Sequence, residues 1–292
     1  MTAVNELFRW GVDTLRDSGI ESPELDTRLL LEHVFQWKPN SLQLHMNASL
    51  GEPDHAQPKH HFKIAISRRA ADEPLAYIIE TAFFCGQEYV TRPGVLIPRP
   101  ETELLVDVAV RTCSDKGWAN AEIWDVGTGT GCIGIEIARR LPESQVVLWE
   151  KSEDAAKICS QNLSRFGLSN VRLIHADFFS DEELRSRSFK DRPLVIVSNP
   201  PYIPIMEFME LPSTVRDFEP HLALNGGIDG LDYYRLLADP VATEAVPNAL
   251  IVEVGMGQSD EVRELFDGLE GVSSAVFDDL QGIGRVVAGV FV

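Results

Sequence analysis

The segment that most restricts the fold is "AEIWDVGTGTGCIGIEIARRL", residues 121–141. A strand-like apolar run enters a turn with glycines at 127, 129 and 131 and leaves it as a helix. Glycine is needed where φ must be positive or where backbone must approach a ligand closely. The alternation then continues. "QVVLWE" reads as a strand and "SEDAAKICSQNLSRFG" as a helix, and "VRLIHAD", "PLVIVSN", "ALIVEVG", "SSAVFDD" and "RVVAGVFV" read as further strands. This is the pattern of a wound α/β sheet with mostly parallel strands. The last two strands are joined by a short link around Gly282 and Gly284. Such a link is too short for a parallel crossover, so that pair is predicted antiparallel.

The remainder of the 292 residues reads differently. Residues 1–75 are predicted helical, with Leu7, Trp10, Val12 and Leu15 near helical spacing, Ser22 as an N-cap, Pro23 at a first helical position, and "AQPKHHFKIAISRRA" as a third long helix. We read this part as a small recognition domain. Residues 76–100 are rich in aromatic and β-branched residues, with Gly86 and Gly94 as turn points, and are predicted to form a hairpin-like connector. Residues 101–292 are the expected sheet domain, its first helix launched by Pro100. The fold class is therefore a Rossmann-like α/β sheet with a helical N-terminal domain.

Charge and cysteine usage narrow the functional classes. The formal net charge is −19. Such a surface repels phosphate backbones, so free DNA is a poor partner and a protein with a basic face a better one. No apolar run is long enough for a membrane span, and the N-terminal stretch lacks the basic and apolar regions of a secretory signal. Cys85, Cys113, Cys132 and Cys159 form no C-x-x-C pair and are expected as free thiols in a reducing cytoplasm. No metal-ligand spacing is present, and the adjacent His60 and His61 read as helical surface.

Where the chemistry lies follows from strand ends, since ligands of open α/β sheets bind outside the carboxyl ends of the strands. Gly127, Gly129 and Gly131 sit at the end of the first strand. No Lys-Ser/Thr follows them, which argues against an NTP phosphate loop. A dinucleotide and S-adenosylmethionine both remain open, because Gly134 extends the glycine series. Glu150 ends the second strand, where a carboxylate can accept from ribose hydroxyls. Asp177 follows the third and can accept from an adenine amino group, with the Phe178 ring packing on the base or in the core.

The fourth strand ends in "SNPPYIP", residues 198–204. A structural proline stop is the plain reading. The chemical reading is a cage for a planar nitrogen, which is a poor nucleophile because its lone pair is delocalised. The Asn199 side-chain oxygen and the Pro200 carbonyl can accept its two N–H groups and favour charge developing on it. The prolines keep those acceptors rigid, and the Tyr202 ring can stack on the planar group. Hydride chemistry has no need of this tetrapeptide.

Together with "EPLAYI" (73–78), "VLIPRPETE" (95–103), "EPHLALNGGIDGLDYYR" (219–235), "VEVGMGQ" (252–258) and "GRVVAG" (284–289), these motifs resemble, in order, those of the release factor glutamine methyltransferases, a family of class I S-adenosylmethionine-dependent enzymes. The resemblance spans most of the chain. It implies N5-methylation of the glutamine in the Gly-Gly-Gln motif of peptide chain release factors. It implies cofactor contacts from Gly127, Thr128, Gly129, Thr130, Gly131, Glu150, Phe178 and Asn199, and substrate contacts from Asn199, Pro200, Pro201 and Tyr202, with Asn199, Pro200 and Tyr202 carrying the catalysis. A cytoplasmic monomer is expected. Glu150, Phe178 and Glu80 stand where the family commonly has aspartate, tryptophan and glycine. Arg99 and Glu101 read as a salt-bridged helix start rather than as substrate contacts. Three other activities compete: methylation of a ribosomal-protein glutamine, adenine-N6 methylation of nucleic acid, and an oxidoreductase or binding protein on the same fold.

Overall fold

The computed structural model describes residues 2–51, 55–180, 192–239 and 247–291. It divides into two compact units, Met1–Thr81 with Pro212–Phe218, and Ala82–Leu211 with Glu219–Val292.

In the first unit, helices Val4–Asp17, Pro23–Val34 and Ala56–Ala70 enclose Leu7, Leu15, Leu30, Leu31, Phe62 and Ile66. The apolar spacing of the first helix largely sets this face, with one correction. Trp10 is 39% exposed, while Gly11 takes the inner position. A Cβ on Gly11 would stand 2.8 Å from Thr27 Cγ2, so the glycine permits the helices to cross closely. Pro23 does open its helix, but the Ser22 side chain makes no capping bond. Short strands β1 (Thr2–Ala3) and β2 (Ser49–Leu50) pair antiparallel. The segment Pro212–Phe218 is held to this unit by Ser213 Oγ, which donates to Asp72 Oδ2 at 2.6 Å.

The connector is a hairpin of β3 (Thr81–Phe84) and β4 (Gln87–Val90), turned by Cys85 and Gly86, both at positive φ. This is the geometry a two-residue hairpin loop prefers. The aromatic and β-branched run ahead of it is not strand: Leu75–Ile78 forms a helical turn. Glu80, at φ +55°, occupies the left-handed conformation that glycine adopts most easily.

The second unit is built on a seven-stranded sheet. Its strands are β5 (Glu122–Val126), β6 (Gln145–Glu150), β7 (Val171–His175), β8 (Leu194–Ser198), β9 (Ala249–Glu253), β10 (Val272–Asp278) and β11 (Gly284–Phe291). Their order is β10-β11-β9-β8-β5-β6-β7. The five strands from β9 to β7 are parallel, and β11 runs antiparallel to both neighbours, β9 and β10. Strands β5, β8 and β9 are buried along their whole length, as parallel strands covered on both faces must be. Alternate residues feed opposite layers. Ile123, Leu148 and Val195 face one core, and Trp124, Trp149 and Ile196 the other. Strand order reverses at β5, whose neighbours are β8 and β6, and the crevice at that switch point opens at the carboxyl ends of all three.

Candidate active site

The loop leaving β5 is shaped from beneath. Asp125 is fully buried, and its Oδ2 accepts from the Thr128 hydroxyl and, at 3.0 Å, from the Gly134 N–H. Burial pushes its carboxyl up to about 7. The Gly127 and Thr128 N–H groups both donate to the Trp149 carbonyl at 3.0 Å, which folds the loop over β6. Gly127 (φ +75°) and Gly129 (φ +56°) have open space where a side chain would stand, so their backbone is bare to a ligand. Gly134 works differently. A Cβ there would meet Leu148 Cδ2 at 2.1 Å, so this glycine lets the following helix, Cys132–Arg140, lie close on the sheet.

Glu150 ends β6 and is 7% exposed. One carboxylate oxygen accepts from Gly129 N–H at 2.9 Å and the other from Ser152 N–H at 2.8 Å. A carboxylate has about four lone-pair positions, so it ties the two loops together and still has acceptor capacity toward the crevice.

These loops surround a cavity of about 870 Å³, counted out to its open mouth. Gly127, Gly129, Glu150, Asp177, Phe178, Asn199, Pro200 and Pro201 all line it, which brings most of the sequence-predicted residues to one place. Thr128, Thr130, Gly131 and Tyr202 lie outside the lining. The two threonines turn inward and are buried, and Gly131 starts the following helix in a left-handed conformation. Phe178 is both wall and core: it is 3% exposed and packs edge-on against Trp124 and Trp149. Asp177 accepts from the Phe179 N–H at 3.1 Å.

The end of β8 is held on several sides. Ser198 Oγ donates to the Val126 carbonyl at 2.7 Å, binding it to the start of the glycine loop. Asn199 Nδ2 donates to Thr102 Oγ1 at 3.2 Å, and Asn199 Oδ1 is buried with no hydrogen-bond partner among the described residues. Pro200 is buried beside it. The Tyr202 main chain rests on the glycines of the segment 219–235. A Cβ on Gly226 would come within 2.7 Å of Tyr202 Cα, and one on Gly230 within 2.3 Å of the Tyr202 carbonyl oxygen. That carbonyl accepts from Gln258 Nε2 at 3.0 Å. Burial, with the nearby Glu253 carboxyl, pushes the Tyr202 hydroxyl up to about 12. The two tyrosines of "GLDYYR" separate. Tyr234 is fully buried and donates to the Glu253 carbonyl at 2.9 Å, while Tyr233 lines the cavity.

Arg99 pairs with the buried carboxylate of Glu219, which also accepts from the Ile97 N–H at 3.1 Å. Arg99 is in an ion pair, as the sequence suggests, but its acid comes from far along the chain rather than from Glu101. Sequence reasoning missed Thr102, Asp125 and Glu253 as parts of the site. Thr102 and Glu253 sit inside the quoted strings "VLIPRPETE" and "VEVGMGQ", and an acid ending an otherwise apolar strand was the available signal. All four cysteines are free thiols. Among the described residues no group of His, Cys, Asp and Glu could hold a metal ion, and no helix is long and apolar enough to cross a membrane.

Comparison with known proteins bears on the whole chain. Residues 6–79 match the PrmC N-terminal domain and residues 101–210 the methyltransferase small domain. A release factor glutamine methyltransferase of Geobacter sulfurreducens is 36% identical over 288 residues, 98% of this chain and 96% of that protein. Its counterpart in Cereibacter sphaeroides is 32% identical over 285 residues, 97% of this chain and 96% of that protein. Among solved structures, a protein-(glutamine-N5) methyltransferase (release factor-specific) from Alicyclobacillus acidocaldarius is 30% identical, with 69% of this chain and 98% of that chain covered and a TM-score of 0.42. A chain matched end to end at this identity, with a cavity formed where the glycine loop meets Asn199, Pro200 and Pro201, belongs to the release factor glutamine methyltransferase family.

Proposed function

We propose that this chain transfers the methyl group of S-adenosylmethionine to the side-chain nitrogen, N5, of the glutamine in the Gly-Gly-Gln motif of peptide chain release factors. The observation that carries the reading is Asn199 in the wall of the cavity, with its Oδ1 buried and unpartnered among the described residues. A buried acceptor without a donor is costly unless a ligand supplies one.

The cavity residues fit the cofactor. The bare backbone at Gly127 and Gly129 accommodates close approach, and Glu150 retains acceptor capacity for ribose hydroxyls. Asp177 and Phe178, both in the cavity wall, are assigned to reading and packing the adenine, and Thr128, Thr130 and Gly131 to supporting the loop from behind. When bound, S-adenosylmethionine supplies an electrophilic methyl group.

The rest of the chemistry belongs to the chain. Asn199 Oδ1 and the Pro200 carbonyl accept the two N–H groups of the substrate amide. That fixes the nitrogen and favours the positive charge it develops as it gains the methyl. The nitrogen then gives up one proton to solvent. Pro200 and Pro201 hold the acceptors without offering competing donors, and Tyr202 braces the turn against Gly226 and Gly230. The helical part, residues 1–75, is assigned to gripping the release factor, with residues 76–100 as the connector.

The relatives' names favour a release factor over a ribosomal protein, and the charge of −19 disfavours nucleic acid. The test uses methyl-labelled S-adenosylmethionine with an unmethylated release factor, followed by peptide mapping. Parallel reactions hold a Gln→Ala release factor and DNA. Label confined to the Gly-Gly-Gln glutamine is expected. Label on DNA or on another residue would overturn the substrate assignment.

A further inference from the structure

Asn199 can serve as an acceptor only if its oxygen, and not its NH₂ group, faces the cavity. The two ends of a side-chain amide are nearly the same size, so shape alone does not choose between them. The choice must come from what lies behind the amide. β8 and β9 pair with Ser198 opposite Val252, so the next residues outward, Asn199 and Glu253, leave the sheet side by side. Glu253 is 3% exposed, and both the Thr102 hydroxyl and the Asn199 amide face its carboxyl group. Its Oε2 is buried with no hydrogen-bond partner among the described residues. Thr102 Oγ1 already accepts from Asn199 Nδ2.

We propose that Glu253 is a positioning residue: its carboxylate, acting with Thr102, holds the NH₂ group of Asn199 and so points Asn199 Oδ1 at the methyl acceptor. The logic is one of donor count. An ionised carboxylate only accepts, so it can face the NH₂ end of the amide and not the oxygen. The Thr102 hydroxyl gives its proton to the carboxylate and is left as an acceptor, which again suits only the NH₂ end. A protonated Glu253 can donate to Asn199 Oδ1 instead, and the lock then reverses or loosens.

The surroundings of Glu253 make that reversal accessible. Burial pushes its carboxyl up to about 7, Glu101 adds to the rise, and Arg285, Thr102 and Asn199 oppose it. The remaining titratable neighbours are Tyr202, whose hydroxyl stays protonated, and Tyr234, which bonds the Glu253 main-chain carbonyl rather than the carboxylate. The lock therefore closes as the pH rises through about 7.

This inference rests on the proposed cage, but it can be tested apart from it. In protein labelled with ¹⁵N-asparagine, the Asn199 NH₂ signals are identified by their loss in Asn199→Ala. They are expected to shift with pH, with a midpoint near 7, in the cofactor-bound wild type. In Glu253→Gln the shift should vanish. In the labelling assay the same variant should lose kcat by about tenfold, the worth of one orienting hydrogen bond, with cofactor affinity within about twofold and no acid limb in its pH profile. Thr102→Val supplies a second variant should Glu253→Gln fold poorly. Its loss of kcat should combine with that of Glu253→Gln less than additively. Asn199 signals that ignore both pH and Glu253→Gln would overturn the proposal, as would a kcat loss matched by an equal loss of cofactor affinity. A wild type that labels no glutamine would instead overturn the substrate reading, while the amide signals would still decide this one.

Discussion

Two side chains at the cavity wall have sharply different consequences if removed. Asn199→Ala deletes the acceptor proposed to serve the transition state more than the bound substrate. The methylation rate is expected to fall by roughly 10²–10³-fold with the fold intact, as for loss of one preorganised group at a reacting centre. Near-normal turnover would sink the cage. Glu150→Ala should act on binding instead. It removes a charged acceptor and also frees the Gly129 and Ser152 N–H groups it holds. Affinity for S-adenosylmethionine should drop roughly 10- to 100-fold, the range for a hydrogen bond to a charged group, and calorimetric titration would measure it. The acceptors at Asn199 and Glu150 were legible in the sequence because each ends a strand beside a recognisable loop. The hydrogen bond from Asn199 to Thr102 was not, because Thr102 is 97 positions from Asn199 and meets it only through the fold.

At the scale of elements, three glycines with the same chemistry do three jobs. Gly129 leaves space for a ligand, Gly134 lets a helix settle on the sheet, and Gly230 lets a distant loop support the Tyr202 carbonyl. The substitution Gly134→Ala shows the difference. In an exposed helix it would stabilise by roughly 1 kcal/mol through helix propensity. Here the added methyl meets Leu148 inside a closed core, and overpacking of this kind costs about 1–3 kcal/mol. A lowered Tm is therefore expected in thermal unfolding; a raised one would show that Leu148 yields freely. Gly230→Ala, at φ +80° and against main chain, should lower the Tm further than Gly134→Ala does, because backbone yields less readily than the tip of a leucine. The alternation of strands and the antiparallel pairing of β10 with β11 followed from apolar periodicity and link length, while the reversed strand order at β5 appears only in the fold. The helical turn Leu75–Ile78 did not, since a short run of aromatic and β-branched residues suits a strand equally well.

Across the whole molecule, stability and activity are expected to respond to pH in opposite senses. Asp125 and Glu253 both have carboxyls raised to about 7 in the folded state, from ordinary values of 3.8 and 4.5. Folding therefore favours their protonated forms. The stability this brings is complete below the ordinary carboxylate range and is lost as pH rises through about 7. Relief of self-repulsion in a chain of net charge −19 acts in the same direction. The Tm is expected to rise when pH is lowered from about 8 to about 6, and added salt should raise it at pH 8 by screening. Asp229, held at about 2 by Arg235, and Asp279, lowered by the Ile283 N–H, act the other way and lose their contribution only in stronger acid. A Tm that falls steadily from pH 8 to 6 would contradict the burial of these two acids as neutral groups. The cage, with Glu253 ionised, is expected to work best where the fold has given up this part of its stability.

The helical unit is closed by Pro212–Phe218, a stretch that the chain reaches only after β8 and leaves before β9. The polypeptide therefore passes from one unit to the other three times. A gene in which only the first 81 codons are exchanged for those of a relative would pair a new helical body with the old Pro212–Phe218, and with it the old partner for Asp72. Recombination that exchanges this unit whole must carry two separated stretches of sequence together. A helical body stitched in this way is not a cassette that one continuous stretch of sequence can carry.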